Sequence, residues 1–114
     1  MTSRAKRVRR SQGDQLDLVF RALGDKTRRA LLARLSLKPA MVTELAEPFD
    51  LSLPAVSRHI KVLEHARLIT RTVDGRVHHC ELKGESLRAV DQWLRHYRRF
   101  WDANLESLAR YVER

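Results

Sequence analysis

Hydrophobic residues recur at helical spacing through the first part of the chain. The first stripe consists of Leu16, Val19, Phe20 and Leu23. These positions follow the i, i+3, i+4, i+7 pattern of an amphipathic helix. We expect Gly24 to end this helix with a positive φ, because glycine has no Cβ to clash there. Asp25 is suited to cap a second helix. The face of that second helix consists of Arg28, Leu31, Leu32 and Leu35.

A short third helix and a fourth helix with a polar face follow. The third covers 42 to about 47, where Pro48 discourages continuation. Ser52 is a favourable N-cap for the fourth helix, and Pro54 is tolerated in its first turn. The buried stripe of the fourth helix consists of Val56, Ile60 and Leu63. The positions away from that stripe are Ala55, Ser57, Arg58, Lys61 and His65.

The pattern then changes from helical to extended and back again. Segment 68–73 alternates like a strand, and 76–82 predicts the return strand. Between them Asp74-Gly75 predicts a two-residue hairpin turn in which both central residues take positive φ. One long helix is predicted from about 85 to 113, roughly 40 Å at 1.5 Å per residue.

This order predicts a mainly α fold with a small β-hairpin, arranged α-α-α-α-β-β-α, which is the order of a winged helix-turn-helix. The chain has 114 residues, the length of one domain. We assign 13–114 to that domain and 1–12 to a flexible basic arm, because 1–12 shows no periodicity and few apolar groups. A solvated tail without defined contacts is an equally good interpretation of the arm.

The net charge of +9 indicates a polyanion as partner, and its distribution narrows that indication. Residues 1–12 carry five basic residues and no acidic one. Segment 51–83 carries six basic and three acidic residues, whereas the rest of the chain is nearly balanced. The excess outside the arm therefore lies on the fourth helix and the hairpin.

The third and fourth helices together predict a helix-turn-helix that binds double-stranded DNA. An α-helix fits the major groove of B-DNA, where the base edges can be read. Small side chains allow close approach, and hydroxyl or basic groups contact bases and phosphates. The predicted DNA-binding residues of this helix are Ser52, Pro54, Ala55, Ser57, Arg58, His59, Lys61. The alternative is an ordinary helical hairpin with a solvated charged face, which the following β-hairpin disfavours.

Three of the predicted contacts have a specific alternative. Arg71 and Arg76 flank the hairpin turn and can reach phosphates or the minor groove. Arginines near a hairpin end also serve as protection of a sheet edge. His59 can reach a phosphate or be satisfied against the body of the domain.

The last helix has more apolar surface than an isolated surface helix would keep exposed. Its apolar positions alternate three and four apart, as in a coiled-coil contact, and Trp93 and Phe100 widen the face. We assign part of this face to the monomer core and the rest to a symmetric homodimer with the first helix. The predicted interface residues are Leu16, Phe20, Leu87, Val90, Leu94, Tyr97, Trp101, Leu105, Leu108. The competing hypothesis is an adaptor that binds another protein through this face.

Other classes of function find little support in the sequence. We predict no enzyme, because no nucleophile–base pair, carboxylate pair or phosphate-binding glycine loop occurs at workable spacing. We predict no metal and no cofactor. His78 and Cys80 share a strand face, and the alternatives there are an unusual metal ligand set, a redox site or a half-buried structural cysteine. A single cysteine and no membrane-length apolar run favour a cytoplasmic protein without a membrane partner.

In combination, these motifs resemble the ArsR/SmtB-type repressors over about residues 14–114. The resemblance rests on 16–29 (LDLVFRALGDKTRR), 44–46 (ELA), 53–64 (LPAVSRHIKVLE), 68–69 (LI) and 74–76 (DGR). It implies a dimeric winged-helix repressor in which the first and last helices form the interface. It also implies that helix 52–63 reads the operator.

The sequence departs from that family at several positions. Lys26 stands where many members have proline, and Met41 replaces the usual hydroxyl cap, so we expect no capping box with Glu44. Segment 44–49 (ELAEPF) lacks the cysteine pair of thiol-type metal sensors, and His96 stands alone on the last helix. The resemblance is therefore to a non-metal-sensing subgroup. It implies a homodimeric repressor or autorepressor on a palindromic operator; the inducer is unknown.

Overall fold

The computed structural model describes residues 11–113. The elements in chain order are α1 (Gln12–Leu23), α2 (Lys26–Leu35), β1 (Ala40–Met41), α3 (Val42–Ala46), α4 (Leu53–His65), β2 (Ile69–Asp74), β3 (Val77–Leu82) and α5 (Glu85–Val112). The predicted winged helix-turn-helix order is confirmed, with β1 as one addition. β1 pairs antiparallel with β3, so the described residues form a three-stranded sheet in the order β1-β3-β2. A two-residue strand is too short to leave a periodic pattern in the sequence.

The hydrophobic core lies between α1, α2, α4 and the sheet. The predicted stripes of α2 and α4 supply Leu31, Leu32 and Leu35, and the fully buried Val56, Ile60 and Leu63. The stripe predicted for α1 is correct only in part: Val19 is buried and Leu23 packs against the core, whereas Phe20 is exposed. Cys80 is also fully buried, so its expected half-buried position was wrong. β3 is the central strand of the sheet, and Cys80 faces the core from it.

Side-chain caps determine where three of the helices begin. Asp25 Oδ1 accepts hydrogen bonds from the N–H groups of Thr27 (2.8 Å) and Arg28 (3.0 Å), as expected for the start of α2. The N–H of Ala55 donates to Ser52 Oγ at 3.2 Å, which confirms the predicted N-cap of α4. Ser11 caps α1, so the last two positions of the predicted arm belong to the first helix and its cap. The remainder of the arm lies outside the described residues.

At α3 the expected loss of the capping box is correct only in part. Met41 has no hydroxyl to accept a hydrogen bond from the helix, but Glu44 Oε1 accepts one from the N–H of Met41 at 3.0 Å. The capping box therefore keeps the bond from the N-cap N–H to the Glu44 side chain and lacks the bond to an N-cap side chain.

Two expectations about positive φ values were wrong. Gly24 has φ −74°, because its N–H donates to the carbonyl of Arg21 three residues back and closes the helix without a left-handed residue. The hairpin turn is shifted by one residue: Asp74 pairs with Val77, and the central residues are Gly75 and Arg76. Only Gly75 of these two has positive φ, at 62°, which fits a primed turn with glycine at its first central position.

The left-handed residue that the sequence did not reveal is Arg67, which follows α4 with φ 60°. Its N–H donates to the carbonyl of Glu64, and the N–H of Leu68 donates to that of Leu63. This pair of bonds is the Schellman arrangement, and the buried Leu63 and Leu68 supply its hydrophobic contact. It directs the chain from α4 into the wing, the hairpin formed by β2 and β3.

α5 extends well beyond the rest of the fold. Its 28 residues correspond to about 42 Å of helix, and its main packing partner is α1. The Cα radius of gyration is 18.6 Å, against roughly 13 Å for a compact domain of this length. Within residues 11–113, no helix is both long enough and apolar enough to cross a membrane.

Candidate nucleic-acid interface

α4 presents a polar surface on one side while the other side fixes it to the core. The inner stripe is completely buried, and the N-terminal end carries the exposed residues Ser52 and Pro54. Ala55 and Ser57 are half-buried beside them, which leaves room for a close approach. The helix therefore combines a rigid attachment with a surface of small and hydroxyl side chains, as insertion into a major groove requires.

Two cations on this surface are available for an external partner. Arg58 and Lys61 are exposed, and neither side chain forms a hydrogen bond or ion pair with any residue of 11–113. An unpaired cation on an ordered helix keeps its donors free for phosphates or base edges. Their placement agrees with the sequence prediction, and their contact with DNA remains a prediction.

The wing brings Arg76 to its tip and leaves Arg71 further back. Arg76 is exposed in the turn, without a partner in the described part of the chain. Arg71 lies opposite Cys80 in the sheet, and its Nη2 donates to Glu64 Oε1 at 2.8 Å. Arg71 is thus tied to α4, which limits how far its guanidinium can move toward DNA.

A cleft of about 340 Å³ separates α3, α4 and the wing. Its lining includes the predicted residues Ser57, Arg71 and Arg76. It also includes Thr43 and His78, which are not among the predicted DNA-binding residues. No periodic signal could have found these two, since the cleft arises only when the wing folds back beside α3.

His59 is turned toward the body of the domain. Its Nδ1 lies 3.2 Å from Arg28 Nη1 and 4.0 Å from Asp25 Oδ1, and its side chain is 23% exposed. Arg28 is anchored in turn, because its Nε donates to the carbonyl of Ala22 at 2.7 Å and its Nη2 to that of Arg21 at 3.0 Å. Of the two interpretations of His59, the geometry favours the satisfied one.

The predicted interface residues of α1 and α5 fall into two groups. Leu87 and Val90 pack against the monomer's own core, whereas Leu16 and Leu94 are half-buried. The other group is exposed: Phe20, Tyr97, Trp101, Leu105, Leu108. Trp93 and Phe100, which were expected to widen this face, are exposed as well. Phe20 and Trp93 stack edge to face with ring centroids 5.2 Å apart, and Trp93 and Tyr97 lie 4.9 Å apart.

Cys80 has neither the exposure nor the charge state of a reactive thiol. Burial raises its pKa, and the nearby Glu64 charge raises it as well, against a lowering by Arg71. His78 is half-buried and His79 is exposed, on opposite sides of the strand as expected. Across 11–113, no three His, Cys, Asp or Glu side chains are grouped closely enough to hold a metal ion.

Comparison with known proteins assigns this architecture to a family. Residues 23–72 match a family model described as a helix-turn-helix domain. The HTH-type transcriptional regulator Rv2034 of Mycobacterium tuberculosis is 38% identical over 97 residues, which cover 85% of this chain and 88% of that protein. The transcriptional repressor SdpR of Bacillus subtilis is 30% identical over 76 residues, 67% of this chain and 84% of that protein.

A crystal structure of an ArsR family transcriptional regulator matches with a TM-score of 0.75 and 44% identity, covering 79% of this chain and 93% of the other. An ArsR-like transcriptional regulator from Rhodococcus sp. RHA1 matches with a TM-score of 0.65 and 26% identity, covering 85% and 92%. The chain therefore belongs to the ArsR family of winged helix-turn-helix transcriptional regulators, a family of DNA-binding proteins rather than enzymes.

Proposed function

We propose that this protein is a homodimeric repressor that binds a short palindromic operator, with its own promoter as the first candidate. The observation that carries the proposal is the exposed face of α4, which holds unpaired Arg58 and Lys61 on a helix whose inner stripe is fully buried. The relative SdpR is named a transcriptional repressor, which supports repression as the direction of regulation. Since DNA is the target, the site of action is the cytoplasm.

Within this proposal, the predicted DNA-binding residues have different roles. Ser57, Arg58 and Lys61 contact base edges or flanking phosphates, while Pro54 and Ala55 allow close approach. Ser52 lies at the helix N-terminus, where a phosphate is favoured. Arg76 contacts the backbone from the wing tip. We rank Arg71 below it because Glu64 already holds its guanidinium.

The exposed aromatic face supports the dimer. Trp101 is 39% exposed and Leu105 is 60% exposed, although both lie on a helix with a clear apolar side. Pairing two copies through α1 and α5 buries this face and places two recognition helices about one DNA turn apart, roughly 34 Å. A palindromic operator is then the expected target, because a two-fold dimer meets two equivalent half-sites.

The test is a mobility-shift and footprinting experiment on the DNA upstream of the protein's own coding sequence. We expect protection of an inverted repeat, with affinity that falls steeply as salt rises because phosphate contacts release counterions. Arg58→Ala should cost about 1–3 kcal/mol and relax specificity, whereas Arg76→Ala should weaken all sequences and reduce the salt slope by about 1. Arg110→Ala, an exposed arginine near the end of α5, is the matched control. Binding without sequence preference at every salt concentration would contradict the operator.

The adaptor remains a second candidate because the same apolar face is exposed in one chain. Sedimentation at micromolar concentration separates the two hypotheses: a stable dimer supports the repressor, whereas a monomer with no DNA affinity supports the adaptor. The sensor alternative at Cys80 predicts metal in the purified protein or rapid reaction with a thiol reagent. The burial of Cys80 predicts neither.

A further inference from the structure

The side chain of Arg28 joins three parts of the fold through three separate donors. Nε and Nη2 donate to the carbonyls of Ala22 and Arg21, which belong to the last turn of α1. The last carbonyls of a helix have no partner within it, and a cation there is favourable for the helix dipole. Arg28 itself lies in the first turn of α2. The two bonds to α1 therefore fix the position of the guanidinium, whose remaining nitrogen, Nη1, faces α4.

The third donor determines the state of His59. Arg28 Nη1 lies 3.2 Å from His59 Nδ1, and a guanidinium carries donors only. Nδ1 must therefore be the acceptor, which places the proton of the neutral ring on Nε2. Protonation of the ring would remove the acceptor and set two cations at hydrogen-bond distance.

We propose that Arg28 and His59 form a positioning contact that holds α4 in its DNA-reading orientation, and that the contact exists only while His59 is neutral. His59 occupies the middle of α4, one residue after Arg58. A ring fixed from the α1–α2 junction limits rotation and sliding of the helix relative to the domain. His59 thus acts through the position of Arg58 and its neighbours, without touching DNA.

The charged groups around the ring are few. Asp25 and Arg28 are the residues within 11–113 that pair or hydrogen-bond with His59, and the α1 carbonyls of Ala22 and Arg21 hold Arg28 in place. The Asp25 carboxylate is occupied by the N–H groups of Thr27 and Arg28, and those bonds keep it in place. The pKa of Asp25 is lowered by the Arg28 N–H first, then by the charges of His59 and Arg28, against burial. At 4.0 Å its charge offsets only part of the repulsion between protonated His59 and Arg28.

Three substitutions separate positioning from direct contact with DNA. His59→Ala removes the acceptor and should weaken binding about fivefold at pH 8, with an unchanged salt slope. His59→Asn places an amide oxygen near the position of Nδ1, does not titrate, and should restore most of that loss. Arg28→Lys keeps the charge but loses the three-way geometry, and it should weaken binding as His59→Ala does. The double variant should then be no weaker than either single one.

The pH profile is the readout that a purely structural role would not change. The probe is a duplex selected from a random library by the wild-type protein. As the His59 ring gains a proton, the ratio of the wild-type affinity to that of His59→Asn should fall, because the protonated ring can no longer accept from Arg28 and asparagine does not titrate. The other histidines are common to both proteins and cancel in this ratio. A ratio that stays constant, or that moves in favour of the wild type, would overturn the proposal.

A second measurement needs no DNA. Long-range ¹⁵N–¹H spectra of the free protein at pH 8 should show His59 as the neutral ring with the proton on Nε2, and Arg28→Lys should loosen that preference. A ring protonated on Nδ1 at pH 8 would contradict the contact. If His59→Asn instead binds as weakly as His59→Ala, with a salt slope reduced by about 1, His59 is a phosphate contact and the positioning role is wrong.

Discussion

The two amphipathic helices α4 and α5 have similar patterns and different surroundings. The inner stripe of α4 is fully buried against α1, α2, α3 and β2. The stripe of α5 meets α1 over the first part of the helix, and from Phe100 onward its apolar residues are all exposed by more than a third. An amphipathic pattern thus predicts that a face will be covered, but it does not identify what covers it.

This difference suits the two helices to different roles. The apolar stripe of α4 is fully covered by other elements of the same chain, so its outer face can be presented rigidly to DNA. The apolar face of α5 is covered only in part, and its exposed distal half is the surface on which we propose that a second copy packs. Equal substitutions in the two stripes should therefore have effects of different size and different kind.

The largest effect is expected from Leu63→Ala in α4. Leu63 has no solvent exposure, and removing its side chain should lower the free energy of unfolding by about 2–5 kcal/mol. Urea denaturation measures this loss. After the contribution of dimer dissociation is subtracted, the difference in the free energy of unfolding should be the same at every protein concentration. Leu37→Ala is the matched control, because Leu37 is 80% exposed and its loss should change stability by less than about 0.5 kcal/mol. Equal losses for both would contradict the buried stripe.

The same substitution in α5, Leu105→Ala, should act on association instead. Each dimer would lose two leucine contacts, about 2–3 kcal/mol together, which corresponds to a dimer dissociation constant raised roughly 30- to 150-fold. Sedimentation over a range of concentrations measures the shift, and the unfolding of the dilute monomer should be unchanged. An unaltered dissociation constant would place the interface elsewhere on the protein.

The same contrast explains how much could be predicted from the sequence. Helix positions, the caps at Asp25 and Ser52, and the buried stripe of α4 depend on neighbours within a few residues, so local pattern was sufficient. The shift of the turn to Gly75 and Arg76 depends on pairing with the other strand, which composition alone does not specify. The contact between Arg28 and His59 joins residues 31 positions apart and has no local signal.

A smaller effect is expected where α4 begins. Ser52→Ala removes the acceptor for the Ala55 N–H and should cost about 1 kcal/mol of stability, whereas Ser52→Gly should cost only a few tenths. Ser52→Asp keeps the cap but adds a negative charge on the proposed DNA face. It should leave the melting temperature near that of the wild type while weakening DNA binding, in a salt-dependent manner. If Ser52→Asp instead lost stability and kept its affinity for DNA, the N-terminal end of α4 would not be part of the DNA interface.

The smallest effect concerns the start of α5, which has no side-chain cap. Gly84 stands at that position with φ −78° and ψ −15°, and a Cβ added there would meet nothing within 4 Å. Alanine adopts this conformation readily, so Gly84→Ala should stabilise the fold by about 0.4–1 kcal/mol by restricting the unfolded chain. Gly75→Ala is the matched contrast, since its φ of 62° strains any residue with a Cβ and should make the change destabilising. Opposite shifts of the two melting temperatures would show that the backbone at Gly84 accepts a Cβ, whereas the backbone at Gly75 does not. A loss at Gly84 would mean instead that the N-terminal end of α5 needs the freedom of glycine.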